Sequence, residues 1–94
     1  MSYSLEFEEH ALKEFKKLAA PLREQFSKKL KDVLQHPHVP ANRLHGMPDC
    51  YKIKLRSAGY RLVYQVIDQE IVVLVLAVGK RERSPVYLAA KNRL

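Results

Sequence analysis

The 94 residues include one cysteine, three glycines and no long apolar stretch, and each scarcity removes a class of explanation. A single cysteine, Cys50, cannot close an internal disulfide, so nothing here calls for an oxidising compartment. The longest apolar run, Ile71 to Gly79, is far short of the roughly 20 residues needed to cross a bilayer, and its β-branched content suits a buried strand. Three scattered glycines build no phosphate-cradling loop, and no Ser-His-Asp or paired-carboxylate pattern can be assembled. The N-terminus carries neither a basic leader nor an apolar segment, so the expected location is cytoplasmic. His36, His38, His45 and Cys50 are nominal metal-ligand types, but their spacing matches no zinc arrangement. Neither a metal nor a cofactor is therefore expected.

Acidic residues are also scarce, and unevenly so. Up to Asn42 there are seven Lys/Arg against six Asp/Glu, whereas from Arg43 onward there are ten against four. Almost all of the formal charge of +7 thus belongs to the C-terminal half. Such a surface attracts polyanions, with RNA, DNA and acidic proteins equally admissible on charge alone. At this length one hydrophobic core is the natural expectation, and residues 1–94 are read as a single domain.

Periodicity orders the elements. Tyr3, Leu5 and Phe7 alternate as in a short strand. Ala11, Leu12, Phe15 and Leu18 then recur at helical spacing, with Glu8 and Glu9 at the start and Lys16 and Lys17 at the end suiting the helix dipole. His10 falls on this helix as a surface residue. Pro21 can open a second helix, whose stripe is Leu22, Phe26, Leu30, Val33 and Leu34. Lys28, Lys29 and Lys31 fall on its solvated side. After a Pro- and Gly-containing loop come three strand-like runs, Cys50–Arg56, Tyr60–Ile67 and Ile71–Gly79, with short connections that imply an antiparallel meander. Ser84-Pro85 opens a short C-terminal helix. The expected class is α+β: a small antiparallel four-stranded sheet packed by two N-terminal helices, with a short helix at the end.

Alternation within the first of these runs puts Tyr51, Ile53 and Leu55 on one face and Lys52, Lys54 and Arg56 on the other. A two-residue turn at Ala58-Gly59 sets Arg56 opposite Arg61, Lys54 opposite Val63 and Lys52 opposite Gln65, and leaves the other face entirely apolar. A one-residue slip would bury Arg61 in the apolar layer. Like charges clustered across strands destabilise a sheet, so Lys52, Lys54, Arg56 and Arg61, exposed together, predict a phosphate site. Lys80, Arg81 and Arg83 form a second cationic cluster leading to Tyr87.

Gly46-Met47-Pro48-Asp49-Cys50-Tyr51-Lys52-Ile53-Lys54-Leu55-Arg56-Ser57, Gly59 to Val66, and Val78-Gly79-Lys80-Arg81-Glu82-Arg83 closely resemble RelE toxins, and the similarity extends over essentially the whole chain. It is specific to RelE within the wider RelE/ParE superfamily, whose ParE-like members share the fold but poison DNA gyrase. The resemblance implies a ribosome-dependent messenger RNA interferase that cuts the codon in the A site of the 30S subunit. It places the functional residues at Lys52, Lys54, Arg61, Arg81 and Tyr87, and all five match. It further implies an acidic RelB-like antitoxin, joined with the toxin in repressing their operon, so that operator DNA is met only through the complex. Two alternatives remain: a non-catalytic toxin directed at a protein such as DNA gyrase, and a nucleic-acid-binding module without chemistry.

Metal-independent attack of an RNA 2′-hydroxyl on its neighbouring phosphate needs a base, a charge stabiliser and an acid. Lys54, with its charged form disfavoured by Lys52 and Arg61, is the candidate base. Arg61 and Arg81 suit phosphate binding and charge stabilisation, assisted by Lys52. For Tyr87, stacking, orientation and proton donation all stay open.

Overall fold

A computed structural model describes residues 2–55, 57–80 and 85–94. The elements run β1 (Ser4–Phe7), α1 (Glu9–Lys16), α2 (Ala20–Gln35), a 3₁₀ turn (Pro40–Asn42), β2 (Cys50–Leu55), β3 (Tyr60–Ile67), β4 (Val72–Lys80) and α3 (Pro85–Asn92). They form one four-stranded sheet in the order β1-β4-β3-β2. The sheet is mixed, which corrects the antiparallel expectation: β2-β3-β4 is an antiparallel meander, but β1 runs parallel to β4, with Phe7 opposite Val75 as the last pair. The helix pair is what permits this pairing, since parallel neighbours need a long crossover between them.

Local chemistry accounts for the helix boundaries. The Glu8 carboxylate caps α1 by accepting from the amides of His10 (2.7 Å) and Ala11 (2.9 Å), satisfying donors that a first turn leaves open. Pro21 sits in the first turn of α2, where its missing N–H costs nothing. Phe26, Leu30 and Val33 of α2, with Ala11 of α1 and Leu18 just past its end, pack on Tyr51, Ile53, Leu55, Leu62, Tyr64, Val73, Val75 and Val78. Two residues of the sequence stripes escape burial: Leu12 on α1, and Leu5 on the edge strand β1. No described helix is long and apolar enough to cross a membrane.

The opposite face of the sheet has a cover of its own. Val86 and Ala90 of α3 join Met47, Cys50, Val63, Leu76 and Ala77 in a second apolar cluster. A bulge assists: Val63 pairs with Ala77 and Tyr64 with Val75, leaving Leu76 as the extra residue, so two consecutive β4 side chains serve the α3 side. The start of β4 also differs from expectation. Ile71 adopts φ 56° at the end of the turn from β3 and stands outside the strand, a conformation that β-branched residues rarely take.

Candidate active site

Strand β2 presents Cys50, Lys52 and Lys54 on the α3 face and Tyr51, Ile53 and Leu55 on the helix-pair face. The pairing register is Lys54 with Arg61, Lys52 with Val63, and Ile53 with Leu62. This corrects the expected partners by two residues. The connection between β2 and β3 spans four residues, 56–59, and ends on Gly59 at φ 67°, where the expectation was a two-residue turn. A shift of two conserves every face, whereas a shift of one would have reversed them.

The cations are consequently closer than the sequence suggested. Lys54 and Arg61 are directly opposed, and Lys52 lies two residues along the same face, about 6.6 Å away along the strand. Lys52 and Lys54 are half-buried, and Arg61 is only 6% exposed. The expectation of three solvent-exposed cations is therefore corrected: Arg61 is buried, its Nη1 donating to the Tyr60 carbonyl at 3.0 Å. A guanidinium shielded from water binds an anion more strongly than an exposed one, because less solvent competes.

The row across the sheet continues from Lys54 through Arg61 to Gly79, and above Gly79 sits α3. A Cβ on Gly79 would stand 3.7 Å from the Val86 Cβ, so the helix is packed down beside the buried arginine. Tyr87, the next residue, is half-buried against the second cluster. The face thus has an apolar part covered by α3 and a cationic part beside it, with Tyr87 carried by the cover.

Other expected residues are placed differently or not described. Lys80 is exposed and pairs with Tyr60, which puts it on the face of Tyr60 and Leu55, away from Lys54 and Arg61. Arg56, Arg81 and Arg83 lie outside the described residues, as does the expected helix cap Ser84. His10 is exposed and bonded to Glu8 through Nδ1 (2.8 Å). His38 is exposed and bonded through Nε2 to Asp68 (3.1 Å). Among the described residues no three His, Cys, Asp or Glu side chains group as metal ligands. Cys50 shares the face of Lys52 but is fully buried, and that burial, reinforced by the charge of Asp49, pushes its thiol up to about 11. It is a packing residue rather than a nucleophile.

Sequence reasoning singled out neither Glu14 nor Arg93. Arg93 donates to both Glu14 carboxylate oxygens, at 2.8 and 3.1 Å, and to the Leu76 carbonyl at 2.9 Å. The available signal was the spacing Val86, Ala90, Arg93, an i, i+4, i+7 stripe that ends in a cation.

A family model described as the ParE toxin of the type II toxin-antitoxin system, parDE, matches residues 5–85. The chain is 63% identical over 94 residues to the mRNA interferase toxin RelE of Escherichia coli strain K12, a match covering 100% of this chain and 99% of that protein. Among solved structures, it is similar to a mutant E. coli RelE toxin in the free state, with a TM-score of 0.93, 61% identity, and coverage of 100% of this chain and 99% of that one. It is also similar to a chain of the intact E. coli RelBE toxin-antitoxin complex, with a TM-score of 0.84, 63% identity, and coverage of 87% and 100%.

Proposed function

The chain belongs to the RelE branch of the RelE/ParE toxin family, and from that premise we propose that its cationic hairpin is the place where messenger RNA is cut. It is a toxin of the type II toxin-antitoxin class and an mRNA interferase, an endoribonuclease. The finer reading is a single RelE-like domain over residues 1–94, working in the cytoplasm, that cleaves messenger RNA in the ribosomal A site without a metal or cofactor. The observation that carries it is the direct opposition of Lys54 and a buried Arg61 beside the helix of Tyr87. Two cations facing each other across the hairpin concentrate positive charge at one place on the sheet, and a scissile phosphate is the anion that such a field attracts.

In this reading Lys54 removes the 2′-hydroxyl proton. The oxygen attacks the adjacent phosphorus, the bond to the 5′-oxygen breaks, and the products are a 2′,3′-cyclic phosphate and a 5′-hydroxyl end. Arg61 binds the phosphate and stabilises its developing charge, with Lys52 adding to the field. Arg81 joins them on its match to the family pattern. Tyr87 stacks on a base, orients the hydroxyl or protonates the leaving oxygen. The ribosome holds the RNA in line, supplying by positioning what weak acids and bases do not.

The same surface suits an acidic RelB-like antitoxin, since the free toxin at +7 attracts polyanions broadly. Its complex would act as co-repressor at the shared operator. Mapping new RNA ends after adding the protein to translating ribosomes tests the reading. New ends within A-site codons are expected. Intact messenger together with failing DNA supercoiling would instead favour a gyrase-directed toxin.

A further inference from the structure

Val86, Ala90 and Arg93 lie along one face of α3 and its C-terminal extension. The first two are buried on the sheet; Arg93 continues past its rim to α1. There its guanidinium grips both oxygens of Glu14, at 2.8 and 3.1 Å, while its Nε lies 3.8 Å from an oxygen of Glu8. Both partners are pinned to the backbone of β4: Arg93 Nη1 donates to the Leu76 carbonyl (2.9 Å), and Glu14 Oε1 accepts from the Val78 amide (3.1 Å). The Arg93 side chain is 18% exposed and that of Glu14 34%. The hydrogen bond to Glu14 holds the guanidinium above its ordinary pKa, so the arginine stays charged.

The place of this clamp follows from the topology. Strand β1 ends opposite Val75, so the Leu76 carbonyl and the Val78 amide lie beyond its reach, and Glu14 and Arg93 satisfy them in its place. The consequence for α3 is larger than for the edge. At eight residues the helix is too short to hold itself, and Val86 and Ala90 give it little area with which to fix its direction. Arg93 is six residues from Tyr87, about 9 Å along the axis, so a tilt of about 10° about the clamped end moves Tyr87 by about 1.5 Å.

We propose that Glu14 and Arg93 are positioning residues for RNA cleavage: their two-pronged pair, anchored to the edge of β4, seats the C-terminal helix so that Tyr87 stands beside Lys54 and Arg61. This deepens the reading of the hairpin as the cleavage site and rests on it. Neither residue touches RNA; both act through the helix.

The test combines cleavage with a tyrosine signal. In single-turnover cleavage on saturated translating ribosomes, Arg93→Ala and Glu14→Ala should each slow cutting on the order of ten- to a hundredfold, as a displacement of about an ångström does. The double variant should be no slower than either single one, and ribosome affinity should stay within about twofold, as expected for two residues that act as one unit. Arg93→Lys should recover part of the rate, keeping one hydrogen bond of the pair. With fluorotyrosine incorporated, the Tyr87 resonance, assigned by its loss in Tyr87→Phe, should move in the Ala variants while those of Tyr51 and Tyr64 in the main core stay fixed. If the Ala variants disturb all of these signals, Arg93→Lys and Glu14→Gln carry the test and should show the same selective shift. Full cleavage by Arg93→Ala, additive losses, or an unmoved Tyr87 resonance would overturn the proposal. Failure of the parent protein to cut messenger would instead defeat the functional reading, and the Tyr87 shift would still decide whether the clamp seats the helix.

Discussion

Lys54 and Arg61 are directly opposed across the β2-β3 hairpin, the arginine buried and the lysine half-buried. Two cations in that relationship concentrate positive charge where a phosphate can meet both. Lys54→Ala and Arg61→Ala should each reduce the cleavage rate on the order of a hundred- to a thousandfold, the scale on which a single charge-stabilising donor acts. Arg61→Lys should remain strongly impaired, because a point charge does not replace the planar fork that binds two phosphate oxygens. Single-turnover rates on programmed ribosomes check this, and an Arg61→Lys variant with parental activity would remove the fork from the account.

The hairpin also shows what a sequence can and cannot convey. Strand alternation has a period of two, so the faces of Lys52, Lys54 and Arg61 were legible from their positions alone. Their partners were not, because the register hangs on the left-handed conformation of Gly59 and on the length of the connection. The parallel pairing of β1 with β4 and the clamp between Glu14 and Arg93, 79 residues apart, are non-local, and no periodicity announces them. Burial of Arg61 escaped as well, because alternation assigns a side chain to a face and says nothing of what else stands on that face. The family resemblance named Tyr87, but its seat beside the hairpin is a property of the fold.

Ile71 occupies the left-handed region at φ 56°, while its carbonyl accepts from the Ser4 amide at 2.9 Å and its amide donates to the Asp68 carbonyl at 3.2 Å. Both bonds are made by the backbone and survive substitution. Ile71→Asn or Ile71→Gly should therefore raise stability by about 1 kcal/mol, the cost of placing a side chain branched at Cβ in this region. Urea unfolding measures it; a lower midpoint with an unchanged slope would contradict the strain.

Burial first, and the charge of Asp49 second, lift the Cys50 thiol from its ordinary 9.0 to about 11. At pH 8 only about a thousandth of it is thiolate. A disulfide reagent should leave the folded protein almost untouched and react completely once urea has unfolded it. The folded state holds this proton more tightly than the unfolded one, so the contribution to stability is full below pH 9 and declines as pH rises towards 11. Rapid labelling of the native protein would show the site to be open.

Asp68 accepts a 2.6 Å hydrogen bond from the Tyr3 hydroxyl and another from His38, and these, the tyrosine's foremost, hold its carboxyl below the ordinary 3.8. A depressed carboxyl contributes stability above its ordinary pKa and loses it as pH falls through the folded value. The tie between the N-terminal strand and the β3-β4 turn should therefore weaken only below about pH 4. Tyr3→Phe should move the Asp68 carboxyl titration upward in an NMR pH series, and an unchanged titration would mean that the hydroxyl does not hold it.

Cleavage by a neighbouring 2′-hydroxyl can be tested on a single atom of the substrate. A messenger carrying a 2′-O-methyl nucleotide at the scissile position, held in the A site of translating ribosomes, should resist the protein completely. The unmodified messenger should yield a 2′,3′-cyclic phosphate and a 5′-hydroxyl end. Continued cutting of the methylated messenger at that position would contradict the assignment of Lys54 and Arg61 to this chemistry.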